Sequence, residues 1–143
     1  MTLMFLNGTA MAGEKDFGTH QGSTFLGPAR TTARYRFFVV RDEFPGLWAV
    51  EQDGRVIEGE LYDIPEGILR GQLLPAEPAE LELGTVELIG GERVCGMCLV
   101  PDRLGASTEV VDISELGGFR AYRRHLAANR RLDQVLGRVP PDA

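Results

Sequence analysis

The chain has 143 residues, 43% hydrophobic and 25% charged, with a formal net charge of −6. That length suits one domain with its own core, and residues 1–143 are read as a single unit. The acidic balance excludes a nucleic-acid binder, which needs a basic stripe. No apolar run approaches the ~18 residues of a membrane helix, and no basic-then-apolar leader opens the sequence. The expectation is a cytoplasmic protein with neither nucleic acid nor membrane as partner.

In chain order, "TLMFL" at 2–6 is a short apolar strand that stops at Asn7-Gly8-Thr9. Residues 12–23 are polar and glycine-rich and read as loop with at most one helical turn. "STFLGPARTT" follows as an irregular strand with Gly27-Pro28 as a bulge or edge marker. In "ARYRFFVVRD" alternation puts Tyr35, Phe37 and Val39 on one face and Arg34 and Arg36 on the other. Phe44-Pro45-Gly46 reads as a turn, and "LWAVEQDGRVIEGELYDI" as a hairpin closed at Asp53-Gly54. Pro65 starts a short helix. A second hairpin, "GTVELIGGERVCGMCLV", closes on Gly90-Gly91. A final helix, capped by Asp112 or Ser114, carries Leu116, Phe119, Tyr122 or Arg123, and Leu126 at helical spacing. Residues 126–143 read as a peripheral tail. About six strands in antiparallel hairpins must bury a face or close on themselves. The fold class is therefore α+β, a small mostly antiparallel β-barrel with flanking short helices.

Cys95 and Cys98 have a CxxC spacing, but on a strand residues three apart point to opposite faces, which suits neither a disulfide nor a shared metal. They are read as two small core residues. His20 and His125 stand far apart, with His125 expected exposed, and there is no GxSxG, HExxH or GxxxxGK pattern. No metal and no cofactor are expected.

The order of motifs resembles the gamma-glutamyl cyclotransferase-like superfamily, and within it most closely the C-terminal domain of allophanate hydrolases. The superfamily's first strand runs into a Tyr-Gly-Ser/Thr-Leu loop, matched by Asn7-Gly8-Thr9-Ala10. Its Val-x-Gly-x-Leu-Tyr strand is matched by Ile57-Glu58-Gly59-Glu60-Leu61-Tyr62, and its catalytic glutamate, within Leu-Asp-x-x-Glu-Gly, by Glu77 in Leu73-Leu74-Pro75-Ala76-Glu77-Pro78. The more specific match rests on "ARYRFFVV", "GRVIEGELYDIP", "LGTVELIGGERVCGMCL" and "DISELGGFRAYR", in that order. This chain resembles a free-standing relative, with no amidase domain. It departs from the superfamily at the loop tyrosine (Asn7), the loop leucine (Ala10) and both neighbours of the glutamate.

The resemblance implies a pocket bounded by Leu6, Asn7, Gly8, Thr9, Ala10 and Met11 and by the segment around Glu77. In an allophanate hydrolase-type site the pocket binds a small carboxylated amide or carbamate, and carbon dioxide leaves as a nitrogen takes a proton. Backbone N–H donors, Arg36 and a hydroxyl of Tyr35 or Tyr62 serve that chemistry. In a cyclotransferase-type site Glu77 is the general acid and base that releases 5-oxoproline, and the loop N–H groups hold the oxyanion. A third reading is a non-catalytic binder of a small carboxylate or amide metabolite, or a partner of an amidase subunit. Read on their own, Arg34 and Arg36 are an outward-facing strand pair.

Overall fold

The computed structural model describes residues 2–137. Eight strands are present: β1 (Thr2–Leu6), β2 (Thr24–Arg30), β3 (Tyr35–Val40), β4 (Phe44–Ala49), β5 (Glu58–Ile64), β6 (Leu81–Glu87), β7 (Arg93–Leu99) and β8 (Val110–Asp112). The hydrogen-bonded order is β2-β5-β1-β7-β4-β3-β8, with β6 also on β7. The neighbours are antiparallel except β1–β7 and β4–β7, so the sheet is mixed but mostly antiparallel, and the fold is α+β.

Five strands, β6-β7-β1-β5-β2, curl into a barrel whose seam closes between Thr31 and Leu88. Thr32 N–H donates to Glu87 C=O at 3.0 Å, and Ile89 N–H to Arg30 C=O at 2.9 Å. Thr31 is fully buried there, and its hydroxyl accepts from Ile57 N–H at 3.0 Å. The closure is a single bridge beyond the ends of β2 and β6, and β4-β3-β8 extends from the barrel as a wing. Alternation sets the lining: Glu60, Tyr62 and Ile64 on β5 are buried, as are Tyr35, Phe37 and Val39 on β3.

One strand organises the interior. β7 pairs with β6 along its whole length on one edge. Its other edge is shared, with Cys95 and Gly96 beside Met4 and Phe5 of β1, and Cys98 beside Leu47 of β4. β1 therefore leaves this edge and β4 joins it on either side of Met97. The two chains splay there, leaving a wedge between Asn7-Gly8 and Phe44-Pro45.

A helical segment, 66–76, packs beside the barrel, with a π-helical stretch at Leu69–Leu73. Gly67 and Gly71 weaken it by about 1 kcal/mol each. Leu69 and Leu73 are fully buried, worth about 1.5–3 kcal/mol each, and hold it in place. The segment ends at Glu77, where the backbone turns extended. Pro65 precedes its first turn.

Three expectations are corrected. The turn lies at residues 41–43, not at Phe44-Pro45-Gly46, which begins β4; Arg41 and Asp42 are both left-handed, and Glu43 N–H donates to Val40 C=O at 2.9 Å. β4 and β5 do not form a hairpin through Asp53-Gly54: β4 pairs with β3 and β7, and β5 with β1 and β2. Neither Asp112 nor Ser114 caps the last helix, which runs Phe119–Val135 after Gly117-Gly118; Leu116 belongs to a preceding 3-10 turn. The Ser114 hydroxyl instead accepts from the buried Phe37 N–H at 2.7 Å. The strand β8 was not read in advance.

The remaining elements agree in placement. β2 carries a register shift between Phe25 and Gly27, and the Gly90-Gly91 hairpin is present. Cys95 and Cys98 are free and pack against the core, and His125 is exposed. Residues 126–136 lie on the outer part of the helix, and residues 138–143 of the expected tail fall outside the described residues.

Candidate functional site

The wedge beside Met97 is a small cavity of about 20 Å³, lined by Leu6, Asn7, Gly8, Thr9, Ala10 and Glu77, with Phe44, Pro45, Leu81 and Met97 completing its wall. That volume admits one water-sized group. The end of β1 delivers the loop and the end of the 66–76 segment delivers the glutamate. Gly8 is required by the close approach of the two splayed chains, since a Cβ there would lie 2.7 Å from the Pro45 ring.

The loop is held by its own backbone: Met11 N–H donates to Gly8 C=O at 3.1 Å, and Asp16 N–H to Thr9 C=O at 2.8 Å. The N–H groups of Gly8, Thr9 and Ala10 donate to no backbone carbonyl outside the regular elements among the described residues. The Asn7 side chain is buried at 6% exposure, and its Nδ2 has no hydrogen-bond partner among the described residues. An unsatisfied buried amide costs about 1–3 kcal/mol. The wall thus carries one unpaired amide donor beside loop N–H groups that have no backbone acceptor, which suits an oxygen-bearing group.

Glu77 faces this donor set as a group that can hold a proton. Burial raises its pKa to about 7, with repulsion from Asp16 adding to the shift. Half-protonated near neutrality, it can give or take a proton.

The rear of the loop is fixed by a network of which only Tyr62 was among the expected site residues. Ala12 N–H donates to Glu60 Oε1 at 2.8 Å, and Tyr62 O–H donates to the same oxygen at 3.0 Å. Arg120 of the C-terminal helix donates to Glu60 Oε2 at 3.2 Å and also to Ala12 C=O. His20, buried in the turn after the loop, places Nε2 2.7 Å from Ala10 C=O and packs edge-on against Tyr62. Burial and the Glu60 hydrogen bond push the Tyr62 hydroxyl up to about 12, so it stays a donor. The signal for Glu60 was in the sequence: it is the charged residue in phase with Tyr62 and Ile64 on the inward face of β5.

The other expected residues stand apart from the wedge. Met11 is buried on the opposite side of the loop, facing a different cavity. Tyr62 lies behind the loop in the Glu60 network. The Tyr35 hydroxyl accepts from Glu87 N–H at 2.9 Å. Arg36 pairs with Asp112 at 2.7 Å and donates to Asp53 C=O at 2.7 Å, the outward placement expected from strand alternation. Among the described residues, no cluster of His, Cys, Asp or Glu could hold a metal ion.

The profile of the allophanate hydrolase C-terminal domain matches residues 2–124. The chain belongs to the allophanate hydrolase C-terminal domain family. It is similar to urea amidolyase of Saccharomyces cerevisiae, 32% identical over 106 residues, which is 70% of this chain and 6% of that protein. It therefore spans only a small part of that relative's length. Among solved structures it is similar to a uropathogenic E. coli-specific protein, at 32% identity and a TM-score of 0.78, covering 87% of this chain and 96% of that one. It is also similar to Kluyveromyces lactis allophanate hydrolase, at 26% identity and a TM-score of 0.78, covering 87% of this chain and 21% of that one. A mouse AIG2-like protein, 18% identical with a TM-score of 0.56 over 74% of this chain and 80% of that one, shares the fold. In the allophanate hydrolase and the amidolyase this domain is one part of a much longer chain, whereas the E. coli relative is matched over nearly its full length.

Proposed function

We propose that this allophanate hydrolase C-terminal domain relative binds and turns over a small carboxylated amide or carbamate in the wedge beside Met97. The observation that carries the reading is the convergence of the unpartnered Asn7 amide, the loop N–H groups and Glu77 on one cavity. A space of about 20 Å³ holds one terminal oxygen of the substrate, with the rest of the molecule outside. Loss of carbon dioxide from an N-carboxylated carbamate breaks the bond between nitrogen and the departing carboxyl carbon. The electron pair stays on nitrogen, which needs a proton as the bond breaks. In this reading Glu77, whose carboxyl pKa is raised to about 7 by burial, gives that proton. Asn7 and the N–H groups of Gly8 to Ala10 orient the carboxylate that is retained. The kinship with domains that sit inside larger amidolyases supports an amidase as the source of the substrate.

The raised pKa of Glu77 also favours a second reading, cyclotransfer with release of 5-oxoproline, because that reaction needs one carboxyl group to take and return a proton. Backbone NMR titration with oxamate, a small carboxylated amide, tests the first reading. It is expected to perturb the amides of residues 7–10, with about tenfold or weaker binding in Asn7→Leu. The absence of loop shifts, together with 5-oxoproline release from γ-glutamyl amines that disappears in Glu77→Gln, would replace it by the second.

A further inference from the structure

We propose that a second cavity, between the β2–β5 ribbon and the first turn of the C-terminal helix, binds a zwitterionic amino acid with an aliphatic side chain. The cavity has a volume of about 410 Å³, within the range of small-ligand pockets and far larger than the wedge. The loop 7–12 separates the two: its first residues line the wedge, while Met11 lines this cavity. The proposal does not depend on what the wedge binds.

Four charged side chains border the space: Arg30, Glu58, Glu60 and Arg120. Glu60 and Arg120 are committed, to each other and to the backbone of Ala12. Arg30 and Glu58 are not. They stand directly opposite each other in the register of β2 and β5, and both are exposed. Neither side chain has a hydrogen bond or ion pair among the described residues. Directly opposed residues hold their Cβ atoms about 4.5–5.5 Å apart. One uncommitted cation and one uncommitted anion at that spacing match a ligand that carries both charges on a single carbon.

The carboxylate takes the Arg30 fork and the ammonium takes Glu58. A dicarboxylate meets repulsion at Glu58, and a diamine meets it at Arg30. Pro28, Met11 and Phe119 supply apolar lining for the side chain. Gly59 and Gly118 also line the space.

The test is an NMR titration of the full chain with L-leucine, compared with L-leucinamide, N-acetyl-L-leucine and succinate. Saturable shifts are expected at residues 58–60 and 118–121 with L-leucine. Each capped derivative, which lacks one of the two charges, should bind about tenfold more weakly or less, and Arg30→Gln and Glu58→Gln should each weaken L-leucine by a similar factor. Both substitutions are at exposed positions and are expected to leave the amide spectrum otherwise unchanged. The proposal is overturned by the absence of saturable shifts with L-leucine, by equal binding in both variants, or by tighter binding of succinate. Because oxamate binding at residues 7–10 is read at different amides, failure here is distinguishable from failure of the wedge reading.

Discussion

At Glu77 the cost of burial and the chemistry of the site are the same quantity. Its pKa is raised from 4.5 to about 7 by burial first and by Asp16 second, so the folded state binds this proton more tightly than the unfolded chain does. Stability contributed by the neutral form is complete below about pH 4.5 and is lost as the pH rises through about 7. Glu77→Gln removes the half-buried charge. The variant is expected to be more stable than wild type at pH 8 by up to about 3 kcal/mol. The difference should fade towards pH 4.5, as read by urea unfolding at the two values. An equal difference at both pH values would mean that Glu77 is not titrating in the buried site. Asn7 follows the same logic: the orphaned Nδ2 destabilises the empty fold, so Asn7→Leu is expected to hold or raise stability, by up to about 2 kcal/mol, while weakening oxamate. The positions of Asn7–Ala10 and Glu77 were legible because a motif order carried them. His20 and Arg120 were not, since one buried histidine and one helical arginine have no local signature until the loop folds against them.

At the scale of elements, two glycines misled the sequence reading for one physical reason. Asp53 does bend the chain at a φ of 61°, but neither Asp53-Gly54 nor Phe44-Pro45-Gly46 joins two paired strands, and both glycines serve close approach. A Cβ on Gly54 would lie 2.3 Å from the Ala33 carbonyl oxygen, and one on Gly46 would lie 2.8 Å from the Leu81 side chain. Local turn chemistry does not distinguish a chain that reverses from a chain that is crossed. The Gly90-Gly91 hairpin was legible because both glycines adopt positive φ, 110° and 95°, in a true reversal. β8 was missed because three residues are too few to show alternation; its place is set by pairing with the distant β3 and by the hydrogen bonds around Ser114. Asp112 accepts from both the N–H and the hydroxyl of Ser114, whose oxygen in turn accepts from Phe37 N–H. Ser114→Ala leaves the buried Phe37 N–H without a partner and is expected to cost about 1–3 kcal/mol by thermal or urea unfolding. A loss near zero would show that the wing does not depend on this bond.

For the whole molecule, the parallel pairings decide where the site lies. β1 and β4 are far apart in sequence, and no local pattern announces that both join one edge of β7 and separate at Met97. The α+β barrel was readable from strand count and the need to close a sheet, but the fork that creates the wedge was not. The activity proposed for this fork is proton-assisted release of carbon dioxide. Its most direct test is the rate of carbon dioxide formation when an allophanate-cleaving amidase domain, without its own C-terminal domain, generates the N-carboxylated product in the presence of this chain. Wild type is expected to accelerate release about tenfold or more over the amidase alone, and Glu77→Gln to remove the acceleration. Release at the same rate with and without the chain would contradict the account.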